Sequence, residues 1–286
     1  MKKLPDAKNN IGMWYAWPMG VWFTVFFAAP IAIIILYSFL KKGLYGGVVN
    51  HVSFAAYRQI LNPSYALVLF RTVWIASVST VITIALALPC AYAMAKSRRQ
   101  TLLLLLVIVP FWTNSLIRIF AWMSILGNDG LLNTLLYKLH ISGGYTQFLY
   151  NKGAVILVSV YMYLPYAILP VFTAIDRFDF SLLEAARDLG ATKPQSMLKV
   201  LIPNVKSGIV TAFIFTFIPI FGAYTVPLLV GGKDSYMLGN VIVDQINKTR
   251  NWPLSASFSM IITVLSTAGV LWMMSSGKKE NALKNS

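Results

Sequence analysis

Side chains with chemistry to offer are sparse in this 286-residue chain: 24 Lys and Arg, nine Asp and Glu, two His and one Cys. Cys90 stands in an apolar run with no second thiol to pair with. His51 and His140 have no neighbouring Cys for a zinc site, so no metal is expected. The sequence holds no H-E-x-x-H, no G-x-S-x-G and no G-x-x-x-x-G-K-[ST], so metalloprotease, serine-hydrolase and P-loop ATPase chemistry lack their residues and no catalytic residue is expected. What remains is recognition. Asn114 and Arg118 stand four apart, on one helical face. Arg118 lies about 17 residues into an apolar run, roughly 26 Å along a straight helix. It reads either as snorkelling to an interface or as part of a pathway or gate. Thr113, Ser115, Thr211, Thr216, Tyr224 and Thr225 offer hydrogen bonds to a pore or to neighbouring helices.

The elements that must position these groups are membrane spans. The chain is 57% hydrophobic and 12% charged, with mean hydropathy +0.67, where a soluble domain carries about 25% charged residues. Six apolar runs reach the ~20 residues a bilayer core requires: 13–40, 72–95, 101–126, 153–175, 207–230 and 252–276. Runs this long are read as helices, since barrel strands are shorter and alternate. The first is too long for a signal-peptide core and lacks a clear cleavage site. With the N-terminus inside, fourteen Lys and Arg fall on inner segments and nine on outer ones. That bias places both termini, 1–12 and 278–286, in the cytoplasm and makes the +15 net charge mostly topological. The domain expectation is one transmembrane unit over 13–277. Pro30, Pro89, Pro110, Pro165, Pro170, Pro219 and Pro227 interrupt the runs. They mark kinks over packed or cavity-lining helices, or simply the frequency of proline in membrane helices.

The inner segment 176–206 is not a random tether. Ser181-Leu-Leu-Glu184 has the form of a capping box. Gly190 stands where a left-handed residue would end the helix, giving a short helix near 182–189. A second starts near Pro194, carries Met197, Leu198 and Leu201 as an apolar stripe, and stops at Pro203. A DNA-reading helix-turn-helix would need a third packed helix and freedom to reach a groove. Tethered between spans, this pair instead reads as a docking surface for a cytoplasmic partner or as a loop packed on its own protein. No nucleic-acid partner is expected.

Glu184-Ala185-Ala186, three residues, Gly190, nine residues and Val200-Leu-Ile202-Pro203 resemble the "EAA" loop of ABC-importer permeases, departing by Val200 and Ile202 at two apolar positions. The segment 109–120, SLLEAARDLGA at 181–191, 239–243 and Asn251-Trp-Pro253 resemble spermidine/putrescine permeases, over about residues 65–272. The resemblance implies an all-α, six-span polytopic protein of the type I ABC-importer permease fold in a bacterial inner membrane. It implies short coupling helices between spans four and five, with Glu184, Ala185, Ala186, Gly190 and Pro203 as coupling residues. It also implies partners: a pair of ATPase subunits holding the ATP and Mg that this chain does not, a second permease, and an extracytoplasmic polyamine-binding protein. A polyamine substrate calls for carboxylates and aromatic faces. Asp129, Asp234 and Asp244, with Trp112 and Tyr224, are the candidates, beside Asn114 and Arg118. Each acid also reads as a solvated loop charge, and Trp112 as ordinary packing.

Rivals are an ABC permease for an inorganic anion, an amino acid or thiamine, for which Arg118 would meet an anion, and an ion-coupled secondary carrier. The carrier would need buried acids and inverted repeats, which the sequence does not display, and would leave the 176–206 segment unexplained. A membrane enzyme lacks a motif.

Overall fold

The computed structural model describes residues 9–140, 144 and 146–284; Lys2, Lys3, Lys8 and the rest of segment 1–8 lie outside them. Helices α1 (Asn9–Phe23) and α2 (Ala29–Ser38) are joined by a π-turn, Thr24–Ala28. A hairpin of β1 (Leu40–Lys42) and β2 (Val48–Val52) and helix α3 (Ala55–Ile60) precede the long α4 (Pro63–Lys96). Then come α5 (Gln100–Ile108), a 3₁₀ turn Val109–Trp112, α6 (Ser115–Leu126), α7 (Leu131–Lys138) and α8 (Lys152–Asp176). The segment expected to couple holds α9 (Ser181–Asp188), α10 (Lys193–Ser196), a π-turn Met197–Leu201 and α11 (Ile202–Asn204). The chain closes with α12 (Lys206–Phe221), α13 (Thr225–Val230), a 3₁₀ turn Lys233–Ser235, α14 (Leu238–Asn247) and α15 (Trp252–Lys284).

Among the described residues four helices are long and apolar enough to cross a membrane: Tyr15–Ser38, Pro63–Lys96, Lys152–Asp176 and Trp252–Leu271. They match four of the six expected runs, and α15 continues as helix through Lys284, beyond the expected end of span six. The other two expected spans are not straight helices. Gln100–Trp112 and Ser115–Lys138 meet at 89°, and Lys193–Asn204 meets Lys206–Phe221 at 73°.

The third run breaks for a readable reason. Pro110 has no N–H to donate and opens the 3₁₀ turn. Thr113 leaves the helix at ψ 150°, and its hydroxyl donates to the Pro110 carbonyl at 2.8 Å. Asn114 starts α6 afresh, its Oδ1 accepting the Leu116 N–H at 2.8 Å. The 26 Å straight-helix placement of Arg118 is therefore corrected. Asn114 is a cap, not a residue on a continuous helical face. The fifth run also breaks, at Gly222, where α12 ends. The Tyr224 carbonyl, which starts the next helix, accepts the Leu228 N–H at 3.0 Å and takes a second bond from the Asn240 amide at 3.2 Å, tying the gap to α14.

Both π-turns sit just ahead of a proline. In each, a five-residue loop replaces the usual four-residue one: Ala29 N–H donates to Thr24 O before Pro30, and Ile202 N–H to Met197 O before Pro203. The longer register leaves room for the missing donor and ring of the proline.

Backbone packing divides the chain into two units, one holding the described residues up to Asn62 with Ile242–Val264 and the other Pro63–Val241 with the described residues from Leu265. In the first, Ser257 Oγ donates to the Ser38 carbonyl at 3.2 Å, Tyr57 Oη to Ser38 Oγ at 2.9 Å, and the rings of Tyr37 and Trp252 lie 6.1 Å apart. The hairpin, absent from the all-helical expectation, turns through Gly46 (φ 98°) and Gly47 (φ 72°). A side chain is strained there. The apolar window of Tyr15–Ser38 is not buried by this chain at all, leaving its face to lipid or another subunit.

The second unit is built on α4, α8 and α12. Gly208 of α12 permits close crossing: a Cβ there would lie 2.5 Å from that of Ala174 and 2.8 Å from the Pro170 carbonyl. Two buried clusters fill this unit. One gathers Ala87, Ala91, Ile168, Val171 and Ile175 with Leu183, Leu201 and Val205 of the 181–205 segment. The other gathers Ile75, Ile119, Val155, Val158, Val226 and Val230.

Candidate coupling surface and translocation path

The segment expected to couple is anchored to the core on one side and largely exposed on the other. Leu183 is 2% exposed and belongs to the first buried cluster. Burying such a side chain contributes about 1.5–3 kcal/mol. The expected Ser181–Glu184 capping box does not form, because α9 starts one residue early, with Phe180 as its uncapped N-cap. Its first N–H is held instead by Asp179, whose Oδ1 accepts from Ser181 N at 3.0 Å. The Ser181 hydroxyl and then its backbone N–H hold the Asp179 carboxyl below the usual aspartate range. A capping box does occur eleven residues on. Thr192 N donates to Gln195 Oε1 at 3.0 Å and Gln195 N to Thr192 Oγ1 at 3.4 Å.

Gly190 ends α9 as expected, at φ 88°. Gly190 N donates to Arg187 O at 2.8 Å and Ala191 N to Ala186 O at 3.0 Å, the paired closure of a helix with a left-handed terminus. A Cβ on Gly190 would meet nothing within 4 Å, so backbone conformation, not space, makes the position selective. Glu184 and Ala185 are exposed, and Ala186 is half-buried. The expected stripe Met197-Leu198-Leu201 is corrected. Leu201 is buried and Met197 packs on the cluster, but Leu198 is 63% exposed, as Leu189 is at 91%. Pro203 does not stop the helix. The π-turn carries the chain past it, and Asn204 Nδ2 donates to the Val200 carbonyl at 2.7 Å before the 73° bend. Beside this segment, between α8 and α12, opens a cleft of about 590 Å³ lined by Pro170, Thr173, Arg177, Asp179, Asn204 and Ser207 among others.

The pathway candidates are dispersed. Trp112 is 79% exposed beside the break in the third run. Arg118 is half-buried, its guanidinium carbon 4.4 Å from the Phe111 ring centroid, and its Nε and Nη1 are enclosed without a hydrogen-bond partner among the described residues. Phe111 in turn meets Tyr161 at 5.5 Å, and Tyr161 meets Trp122 at 5.4 Å. Phe111 and Tyr161 were not singled out from sequence, where nothing marks one aromatic of an apolar run above another. Tyr224 is half-buried in the break after α12. The three aspartates stand on separate elements. Asp129 is exposed between α6 and α7, Asp234 is exposed in the turn before α14, and Asp244 on α14 pairs with Lys248 at 2.9 Å.

Bent apolar spans carry between them a helix pair held to the core by Leu183, Leu201 and Val205, with Leu189 and Leu198 exposed. The chain belongs to the family described as binding-protein-dependent transport system inner membrane component, whose model matches residues 76–275. It is 36% identical over 246 residues to the spermidine/putrescine transport system permease protein PotB of Haemophilus influenzae, covering 85% of this chain and 86% of the relative. It is 31% identical over 233 residues to the inner membrane ABC transporter permease protein YdcU of Escherichia coli K12, covering 76% and 74%. Its fold matches a chain of a bacterial ABC transporter that imports the acidic polysaccharide alginate, with TM-score 0.75 at 15% identity over 93% of this chain and 95% of that one. A methionine ABC transporter chain in an inward-facing conformation matches with TM-score 0.51 at 20% identity, covering 76% and 96%. The expected fold, that of a type I ABC-importer permease, is therefore the fold of this chain.

Proposed function

We propose that this chain forms, with a second permease, the path by which a polyamine crosses the inner membrane, driven by separate ATPase subunits. The observation that carries the substrate class is the 36% identity to PotB over 85% of the chain. Spermidine or putrescine reaches the outer face on a binding protein. A structural relative is described in complex with an alginate-pentasaccharide-bound periplasmic protein. The Lys and Arg bias supports both termini in the cytoplasm, which puts segment 176–206 where ATP and Mg are held by the ATPase pair.

Glu184, Ala185 and Ala186 present the contact to that pair, and exposed Leu189 and Leu198 supply apolar area for it to cover. Gly190 and Pro203 set the angles at which the helices leave. ATP binding must favour one orientation of the permease pair by several kcal/mol to switch its population. Trp112, Tyr224 and Asn114 offer ring faces and an amide to the path, and Asp129, Asp234 and Asp244 are the carboxylate candidates. Arg118, stacked on Phe111 near the bend, is a further pathway candidate.

The test is uptake of labelled spermidine and putrescine by cells lacking only this gene, with and without its restoration. Gene-dependent uptake competed by polyamines but not by amino acids or sulfate is the expected result. Unchanged polyamine uptake, in cells with no redundant polyamine system, overturns the substrate assignment.

A further inference from the structure

The connector between α8 and α9 is tied at both ends to one corner of the molecule, the turn from α4 into α5. At its start, Gln100 Nε2 donates to Asp176 Oδ1 at 3.1 Å and to the Ala95 carbonyl at 2.9 Å. At its end, Lys96 Nζ lies 5.3 Å from the ring centroids of both Tyr92 and Phe180. Those two rings meet edge-on at 6.0 Å, and Phe180 also meets Phe178 at 5.7 Å. Phe180 is the residue on which α9 begins. An ammonium held between two aromatic faces is attracted to both, and the grip is directional because it acts only while both rings stay in reach. The corner leads directly into α5, the first arm of the span that bends by 89°.

We propose that residues 92–100 receive the coupling stroke, with Lys96 as the positioning residue that makes the start of α9 and the α4–α5 corner move together. The inference rests on reading α9 as the coupling helix. A force on α9 reaches Phe180 first. Through Lys96 and Tyr92 it turns the end of α4, and through Gln100 and Asp176 it carries the first turn of α5. The broken third span is thus the part of the path that the stroke reorients.

The experiment uses the full complex with its ATPase, second permease and binding protein in proteoliposomes, measuring solute uptake and ATP hydrolysis together. Lys96→Met keeps the aliphatic stem and removes the cation; Phe180→Leu keeps apolar bulk and removes the ring face. In both, uptake per ATP hydrolysed is expected to fall by on the order of fivefold while hydrolysis by the assembled complex persists. Lys96→Arg, which retains a cation for the rings, restores the ratio. An unchanged ratio overturns the proposal, whether both activities stay high or fall in parallel; loss of assembled complex in both variants overturns it too, because Lys96 and Phe180 then hold the fold rather than position α9. Wild-type complex that moves no polyamine points to the substrate reading instead, and the ratio is then read with the solute it does move.

Discussion

Within the larger unit, the coupling segment and the candidate path solve opposite problems. Around α9 the backbone closes on itself. Asp179 takes the first N–H, Gly190 and Ala191 return theirs to Arg187 and Ala186, and Thr192 and Gln195 cap each other. One leucine enters the core and two face outward bare. Along the candidate path, at 109–118 and 222–224, the helices break: Asn114 caps the restart of α6, and the Tyr224 carbonyl, already bonded to the Leu228 N–H, takes a second bond from distant Asn240. The difference is mechanical. A segment satisfied by its own neighbours can be pushed as a rigid piece, whereas one satisfied across a gap changes shape when the gap changes.

Four substitutions test that contrast, from the largest expected effect downward. Gly190→Val forces a branched residue to φ 88° at about 1–3 kcal/mol of strain. It is expected to cut uptake by about tenfold or more, in line with a 1.4 kcal/mol change per decade, at normal membrane abundance; uptake at the wild-type rate would sink the coupling assignment. Asn240→Ala removes the amide at Tyr224 and the Oδ1 that accepts from Met237 N at 3.2 Å. It is expected to destabilise the detergent-solubilised protein by about 1–3 kcal/mol, seen as a lower midpoint in thermal unfolding. An unshifted midpoint would mean the break after α12 holds itself.

The third test is by pH. The Asp179 carboxyl is held below its ordinary range by the Ser181 hydroxyl and N–H. Its contribution is therefore complete above the ordinary aspartate range and is lost as pH falls through the lowered value. Asp179→Ala should speed hydrogen exchange of the first amides of α9 near neutrality, and the two proteins should converge in acid; a difference that persists in acid would contradict this. The smallest effect belongs to Asp244→Asn, which removes an exposed i,i+4 pair with Lys248 worth about 0.3–0.5 kcal/mol. A change in midpoint too small to resolve is expected. A rise in the KM of uptake would move Asp244 from surface pairing to substrate contact.

Gly190 shows how legible the coupling end is in the sequence. A glycine after a run of good helix formers has one common use, and φ 88° is that use. The capping box was misplaced by eleven positions, from Ser181 to Thr192, because Asp179 competes for the N–H that Ser181 would otherwise organise. Leu198 looked like part of a stripe at helical spacing, but the π-turn at Met197–Leu201 adds a residue to the repeat and rotates it outward. At the path end Pro110 and Asn114 together spell a break and a restart, yet an unbroken apolar run of spanning length outweighs them when hydropathy is averaged.

Local chemistry by itself determined the apolar runs, the paired helices between the fourth and fifth of them, and the position of the left-handed turn. Each depends on residues within a few positions of one another or on a sum over a window. Only the tertiary structure decided the 89° and 73° bends, the stack of Arg118 on Phe111, the grip of Lys96 on Tyr92 and Phe180 and the second bond that Asn240 gives the Tyr224 carbonyl. In an apolar chain many aromatics and prolines are interchangeable by type. Which of them meet depends on where a helix stops, and that depends on whether a donor elsewhere can satisfy the carbonyl it leaves behind.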